Sequence, residues 1–135
     1  MIRLICGPKG TGKTKMILQD VNSIVDTAKG DIVYITEKKF DTRSISFNVR
    51  VLYTTEFGVD GVDCFRGFIA GLVAGNADIE YLYIDGLSRI VGIDSDTTKF
   101  FEDLIALERA FGFKTVITIS KPVDELPEIA RAYAV

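Results

Sequence analysis

The sequence predicts an α/β domain built on a mainly parallel sheet, and three observations predict it. Five short apolar segments have the length and composition of strands, and helical periodicities separate most of them. A glycine-rich octet, GPKGTGKT (Gly7–Thr14), lies between the first strand and the first helix. Strands that alternate with helices bury a parallel sheet between helical layers, an α/β/α sandwich.

Ile2–Cys6 is a short buried strand. Beyond the octet, Ile17, Val21, Ile24, Val25 and Ala28 recur at helical spacing, which predicts a first helix to about Lys29, stopped by Gly30. Asp31–Thr36 is a second strand, β-branched and nearly all apolar. Ile45, Phe47, Val49, Val51 and Tyr53 alternate with mostly polar neighbours, the period of a half-buried third strand. Phe65–Ala74 is an apolar helix interrupted by Gly67 and Gly71 and ended at Gly75 and Asn76. Glu80–Asp85 is the fourth strand. Phe100, Phe101, Leu104, Ile105, Glu108 and Phe111 give a helix with a wide apolar face, capped by Asp94, Ser95 or Asp96 and stopped by Gly112. Lys114–Ser120 is the last strand, and Leu126–Ala134 forms a closing helix.

At 135 residues the chain is expected to be one domain, residues 1–135. Hydrophobic residues at 47% and charged residues at 26% are ordinary for a globular protein. A net charge of −3 argues against constitutive nucleic-acid binding through bulk electrostatics. No apolar run approaches the ~20 residues needed to span a bilayer. The first one breaks at once into Gly7 and Pro8, unlike a signal peptide, so the expected location is the cytoplasm. Without histidine, imidazole acid–base chemistry is excluded. Two cysteines, Cys6 and Cys64, are too few for an ordinary zinc site and are expected as buried, inert thiols.

Gly7, Gly12, Lys13 and Thr14 fill every fixed position of G-x-x-x-x-G-K-[ST]. The chemistry needs these residue types. Glycines let successive backbone N–H groups turn toward phosphate oxygens, and the helix start adds partial positive charge. Gly7, Pro8, Lys9, Gly10, Thr11, Gly12, Lys13, Thr14 and Lys15 are therefore the expected cradle of a nucleotide phosphate. Lys13 reaches the β- and γ-phosphates, and the Thr14 hydroxyl ligates Mg2+. Asp85, ending an apolar strand, is placed to complete the Mg2+ shell. Glu37, ending the second strand, faces the crevice where such sheets bind ligands and is a candidate base. Its competing reading is a solvated glutamate beside Lys38 and Lys39. Glu56 is the fallback base. Ser120 can touch the γ-phosphate or the attacking water, or simply end its strand.

Taken in order, GPKGTGKT, the strand ending in Glu37, YLYIDGLSRIVG and FKTVITIS resemble the RecA/KaiC branch of P-loop NTPases. The resemblance spans most of the chain, though only the first motif, of the Walker A form, is highly specific. It implies a RecA-like core, a minimal single-domain version, with a five-stranded sheet in the order 1-5-4-2-3. It implies Glu37 as catalytic carboxylate, Asp85 as the Walker B aspartate and Ser120 as γ-phosphate sensor. Three departures stand out. The chain carries no strands beyond the sensor strand, so a basic finger reaching a neighbouring subunit would be Arg131, Lys121 or Arg89. The link between strands two and three is too short for a crossover helix, which leaves strand three antiparallel or at an edge. Gly86, not a second carboxylate, follows Asp85, which speaks against the AAA+ ATPases.

Three functions compete. The first is a Mg-dependent ATPase acting as a homo-oligomer, with ATP and Mg2+ as cofactors; the lack of an N-K-x-D element favours adenine over guanine. The second is an ATP-dependent switch with little hydrolysis, its responding segment at Ser88–Thr98. The third is a small-molecule or nucleotide kinase, disfavoured because Arg43, Arg50 and Arg66 are scattered. A mean hydropathy of +0.23 and the apolar tail Ala132–Val135 hint at a subunit or partner contact.

Overall fold

The computed structural model of the chain describes residues 1–37 and 44–135. Its strands are β1 (Ile2–Cys6), β2 (Asp31–Thr36), β3 (Val49–Tyr53), β4 (Ile79–Asp85) and β5 (Lys114–Ile119). All pair in parallel in one sheet ordered β1-β5-β4-β2-β3, the order expected. The helices are α1 (Lys13–Ile24), α2 (Val62–Gly75), α3 (Leu87–Val91), α4 (Thr98–Phe111) and α5 (Glu128–Arg131).

Strand side chains alternate between two cores, as a pleat of period two requires. On one face Ile5, Ile32, Tyr34, Tyr83 and Val116 pack against Ile17 and Val21 of α1. On the other, Leu4, Val33, Ile35, Leu82, Ile84 and Ile117 meet Phe65 and Ile69 of α2 and Phe100, Phe101 and Leu104 of α4. The Phe65 and Phe100 rings stack with centroids 5.5 Å apart and lock the two helices together. β1 is an edge strand with a partner outside the sheet. Its Leu4 N–H donates to the Tyr133 carbonyl at 2.9 Å, and the Val135 N–H donates back to Leu4 at 3.0 Å. The apolar tail thus docks on its own β1.

Several boundaries differ from the sequence reading. α1 stops at Ile24, five residues short of Lys29. The Lys29 and Gly30 N–H groups bond instead to the Glu80 carboxylate at 2.7 and 2.8 Å, so they cannot continue the helical ladder. These bonds hold the Glu80 carboxyl below its usual range. β3 is parallel, at the edge, and begins at Val49; Ser46 turns the chain before it, and Phe47 is 95% exposed. Arg43, Lys38 and Lys39 lie outside the described residues. α2 starts earlier than expected, at Val62, and a short helix, α3, lies between β4 and α4 where the sequence reading placed none. Asp96 does serve the start of α4, accepting from the Thr98 N–H and hydroxyl, but Thr97 is the capping residue. The closing helix shrinks to Glu128–Arg131 because the following residues pair with β1. Cys64 is exposed on α2 and Cys6 is half-buried, so the expectation of two buried thiols was wrong.

Gly30 sits where β2 begins, and a Cβ there would lie 2.5 Å from the Asp78 carbonyl. Backbone cannot yield as a flexible side chain can. Gly30→Ala is expected to lose about 1–3 kcal/mol; a fall in Tm of several degrees by differential scanning calorimetry checks it, and an unchanged Tm would contradict the packing described.

Candidate functional site

The octet joins β1 to α1 along the carboxyl ends of the strands. Gly12, at φ 80°, is the residue that caps α1, and among the described residues no side chain accepts from the N–H groups of the first turn. That turn carries Lys13 and Lys15 and no acid, so the donors of this helix start are left for an anion from outside the loop. At the loop's other end the Gly7 N–H donates to the Lys121 carbonyl at 3.2 Å, which ties it to the segment after β5. The Lys13 ammonium crosses the loop to the carbonyls of Gly7 and Pro8, at 2.9 and 2.7 Å.

Asp85 lies opposite. Register and pleat place it: Thr36 pairs with Asp85, Tyr34 with Tyr83, and Ile84 with Ile117. Tyr34, Asp85 and Thr118 therefore emerge on the α1 face, side by side. Asp85 is 3% exposed, and three hydroxyls donate to its carboxylate. Tyr34 bonds Oδ2 at 2.9 Å; Thr118 and Thr14 bond Oδ1 at 2.7 and 3.4 Å. The Thr118 oxygen in turn accepts from the Gly86 N–H at 2.7 Å. Burial, reinforced by the Asp85 charge and hydrogen bond, pushes the Tyr34 phenol far above its ordinary value, so it stays a donor.

A cavity of about 260 Å3 lies between these walls, lined by Lys9, Gly10, Gly12, Lys13, Thr14, Asp85, Arg89, Thr118 and Ser120. A larger neighbouring cleft, about 500 Å3, continues past Pro8, Lys9, Ser88, Arg89, Ile93 and Ser120. Partial burial lowers the Lys13 pKa, as does the Arg89 charge, while Asp85 raises it. Among the described residues no three carboxylates or cysteines converge as a metal cage. The donors that fit a hard divalent cation are Thr14 Oγ1 and the Asp85 carboxylate, an oxygen pair that leaves most positions to water and phosphate.

Of the residues read from sequence, the loop, Thr14, Asp85 and Ser120 converge on one site. Thr11 bonds the Pro8 carbonyl within the loop, and Lys15 is exposed beside it. Glu37 directly follows Thr36, the strand partner of Asp85, but its side chain does not line the cavity beside the octet; its carbonyl accepts from Thr55 N–H at 3.0 Å. Glu56 is exposed in the turn after β3. Arg131 is committed to the carbonyls of Leu126 and Asp124, and Arg66 to Asp103 and Asp63. Sequence reasoning missed Tyr34 and Thr118. Their signal was present: each is a polar-tipped residue at even spacing inside an apolar strand, on the face that carries Asp85 or Ser120.

No protein-family profile and no curated protein matches the chain. Among solved structures it is similar to domain III of the replication initiation protein DnaA from Thermotoga maritima, with a TM-score of 0.56 and 16% identity. The match covers 98% of this chain and 50% of that one, so this chain spans half the length of that structure. At that identity the likeness concerns the fold, which is P-loop-like.

Removing a donor from Asp85 leaves buried charge short of a partner. Tyr34→Phe is expected to cost about 1.5–3 kcal/mol in urea unfolding. Thr118→Val is expected to cost more, because it also strands the Gly86 N–H. The reverse order would contradict the network.

Proposed function

We propose that the chain is a Mg-dependent ATP hydrolase of the RecA/KaiC-like kind. The observation that carries the reading is the single cavity in which an uncapped helix start, Lys13, Thr14 and Asp85 meet. Nucleotide phosphate replaces the loop carbonyls as acceptor for Lys13, and the free N–H groups of α1 close on the remaining oxygens. Mg2+, held by Thr14 and Asp85, would supply charge neutralisation between the phosphates. Ser120 touches the γ-phosphate from the end of β5. Glu37, directly after β2 at the carboxyl end of the sheet, is the proposed base.

One observation favours a second reading. Among the described residues Asp85 is the only carboxylate lining the phosphate cavity, and its oxygens are occupied by hydroxyl donors. With no base in place, the chain would bind ATP and turn it over slowly, as a switch.

Mg-ATP hydrolysis and ATP binding separate the two. The hydrolase reading expects Lys13→Ala to abolish turnover, and Glu37→Gln to keep binding while turnover falls about 100-fold or more, the range of a lost general base. Normal hydrolysis by Glu37→Gln removes that residue from the mechanism. Tight binding without turnover in the wild type supports the switch, and protection from hydrogen exchange should then spread beyond the octet. Failure to bind ATP at all ends both readings.

A further inference from the structure

Arg89 stands beside the phosphate cavity, and its setting is unusual for a surface arginine. Of the five residues of α3, Leu87, Ser88, Ile90 and Val91 are buried, and only Arg89 is exposed. The helix is therefore locked in the core, and the arginine leaves it from a fixed root. Its guanidinium folds back over Gly86, which has φ 83°, and a Cβ at that position would overlap it. The chain thus reserves space for the guanidinium between the metal-site aspartate and the mouth of the cavity. Arg89 lines that cavity together with Lys13, Thr14, Thr118 and Ser120. Among the described residues it makes no ion pair or hydrogen bond. Asp85, the carboxylate that lines the same cavity, is satisfied by hydroxyls instead. A planar fork of donors, unpaired and facing a phosphate site, matches the geometry of phosphate oxygens.

The other two basic residues that could reach a γ-phosphate are placed differently. Arg131 is tied to two carbonyls of its own tail, and Lys121 lines a separate cavity of about 200 Å3 with Ser88, Thr97 and Glu125.

We propose that Arg89 is the arginine of this site in cis: its guanidinium binds the terminal phosphate of the nucleotide held by the same chain. The inference rests on the hydrolase reading above and changes one part of it, since no neighbouring subunit is needed to complete the charge. In the step itself, water oxygen bonds to the γ-phosphorus and the bond to the β,γ-bridging oxygen breaks. The electron pair leaves on ADP, and the water proton passes to the base. Arg89 stabilises the negative charge carried by the transferring group, as lysine at the same position does less well because it offers one point charge for a fork.

The test uses Arg89→Ala and Arg89→Lys in the full chain, with nucleotide affinity measured alongside turnover. Arg89→Ala is expected to lose about 100-fold or more in kcat, within the range for such arginines, with ADP affinity within about twofold. Arg89→Lys should recover only part of the loss. If the wild type binds nucleotide but turns over too slowly to compare, affinity for ADP with aluminium fluoride replaces kcat, and Arg89→Ala should weaken it at least tenfold. Turnover per wild-type subunit should not depend on protein concentration. Mixing Arg89→Ala with Lys13→Ala then decides cis against trans. A mixture no more active than its parts supports the proposal; restored activity means the arginine crosses between subunits and overturns it. Unchanged turnover and unchanged aluminium fluoride affinity in Arg89→Ala also overturn it, while ATP still binds. A wild type that binds no nucleotide fails at the level of the phosphate site itself, an outcome recognisable before any Arg89 variant is compared.

Discussion

The fold is organised around one buried charge. A carboxylate taken out of water costs several kcal/mol unless donors replace the solvent, and Asp85 is almost wholly enclosed. Three donors do so, from β2, β5 and α1. They meet only if the β2–β4 and β4–β5 registers are correct and α1 lies on the right face. A slip of one residue in either pairing would turn a donor to the opposite core. The same bonds that neutralise the charge therefore fix the sheet's register at its functional end.

A ladder of tyrosines continues this arrangement away from the site. Tyr34 stacks on Tyr83, and Tyr83 on Tyr81, each at 6.3 Å between centroids. The Tyr83 hydroxyl donates to Asp20 on α1, which also pairs with Arg3 of β1. The α1 face thus combines an apolar core with a line of polar tips, whereas the α2–α4 face is filled by aliphatic and phenylalanine side chains. The two faces have different work. One side holds the hydrogen-bonded polar groups around Asp85 and Asp20, and the other supplies most of the apolar burial behind them.

How much of this was legible in the sequence depended on whether the signal was local. The octet was plain because every fixed position lies within eight residues, flanked by a strand and a helix. The five strands and their order followed from apolar runs and from the resemblance they completed. Helix ends were less legible. α1 ends early because Glu80, fifty residues downstream, captures the donors of Lys29 and Gly30. The tail became a strand partner because β1 offered an open edge. Tyr34 and Thr118 were hidden for the same reason: a hydroxyl in an apolar strand acquires meaning only when its neighbour across the sheet is known. Arg89 was visible as a basic residue near Asp85, but whether it pointed inward or outward depended on the unforeseen helix that carries it.

The pairing of β1 also bears on the order in which the protein can be made. β1 leads into the glycine-rich octet, yet its partners are β5, more than a hundred residues later, and residues 133–135 beyond that. During synthesis β1 thus emerges long before the segments that pair with it. Until then its apolar side chains and both of its hydrogen-bonding edges have no native cover, the condition under which nascent chains associate wrongly. The loop cannot be held in shape in that interval, because the Lys121 carbonyl that anchors Gly7 does not yet exist. The shape of the octet therefore arrives late and abruptly, with β5 and the segment after it rather than with β1 and α1 alone.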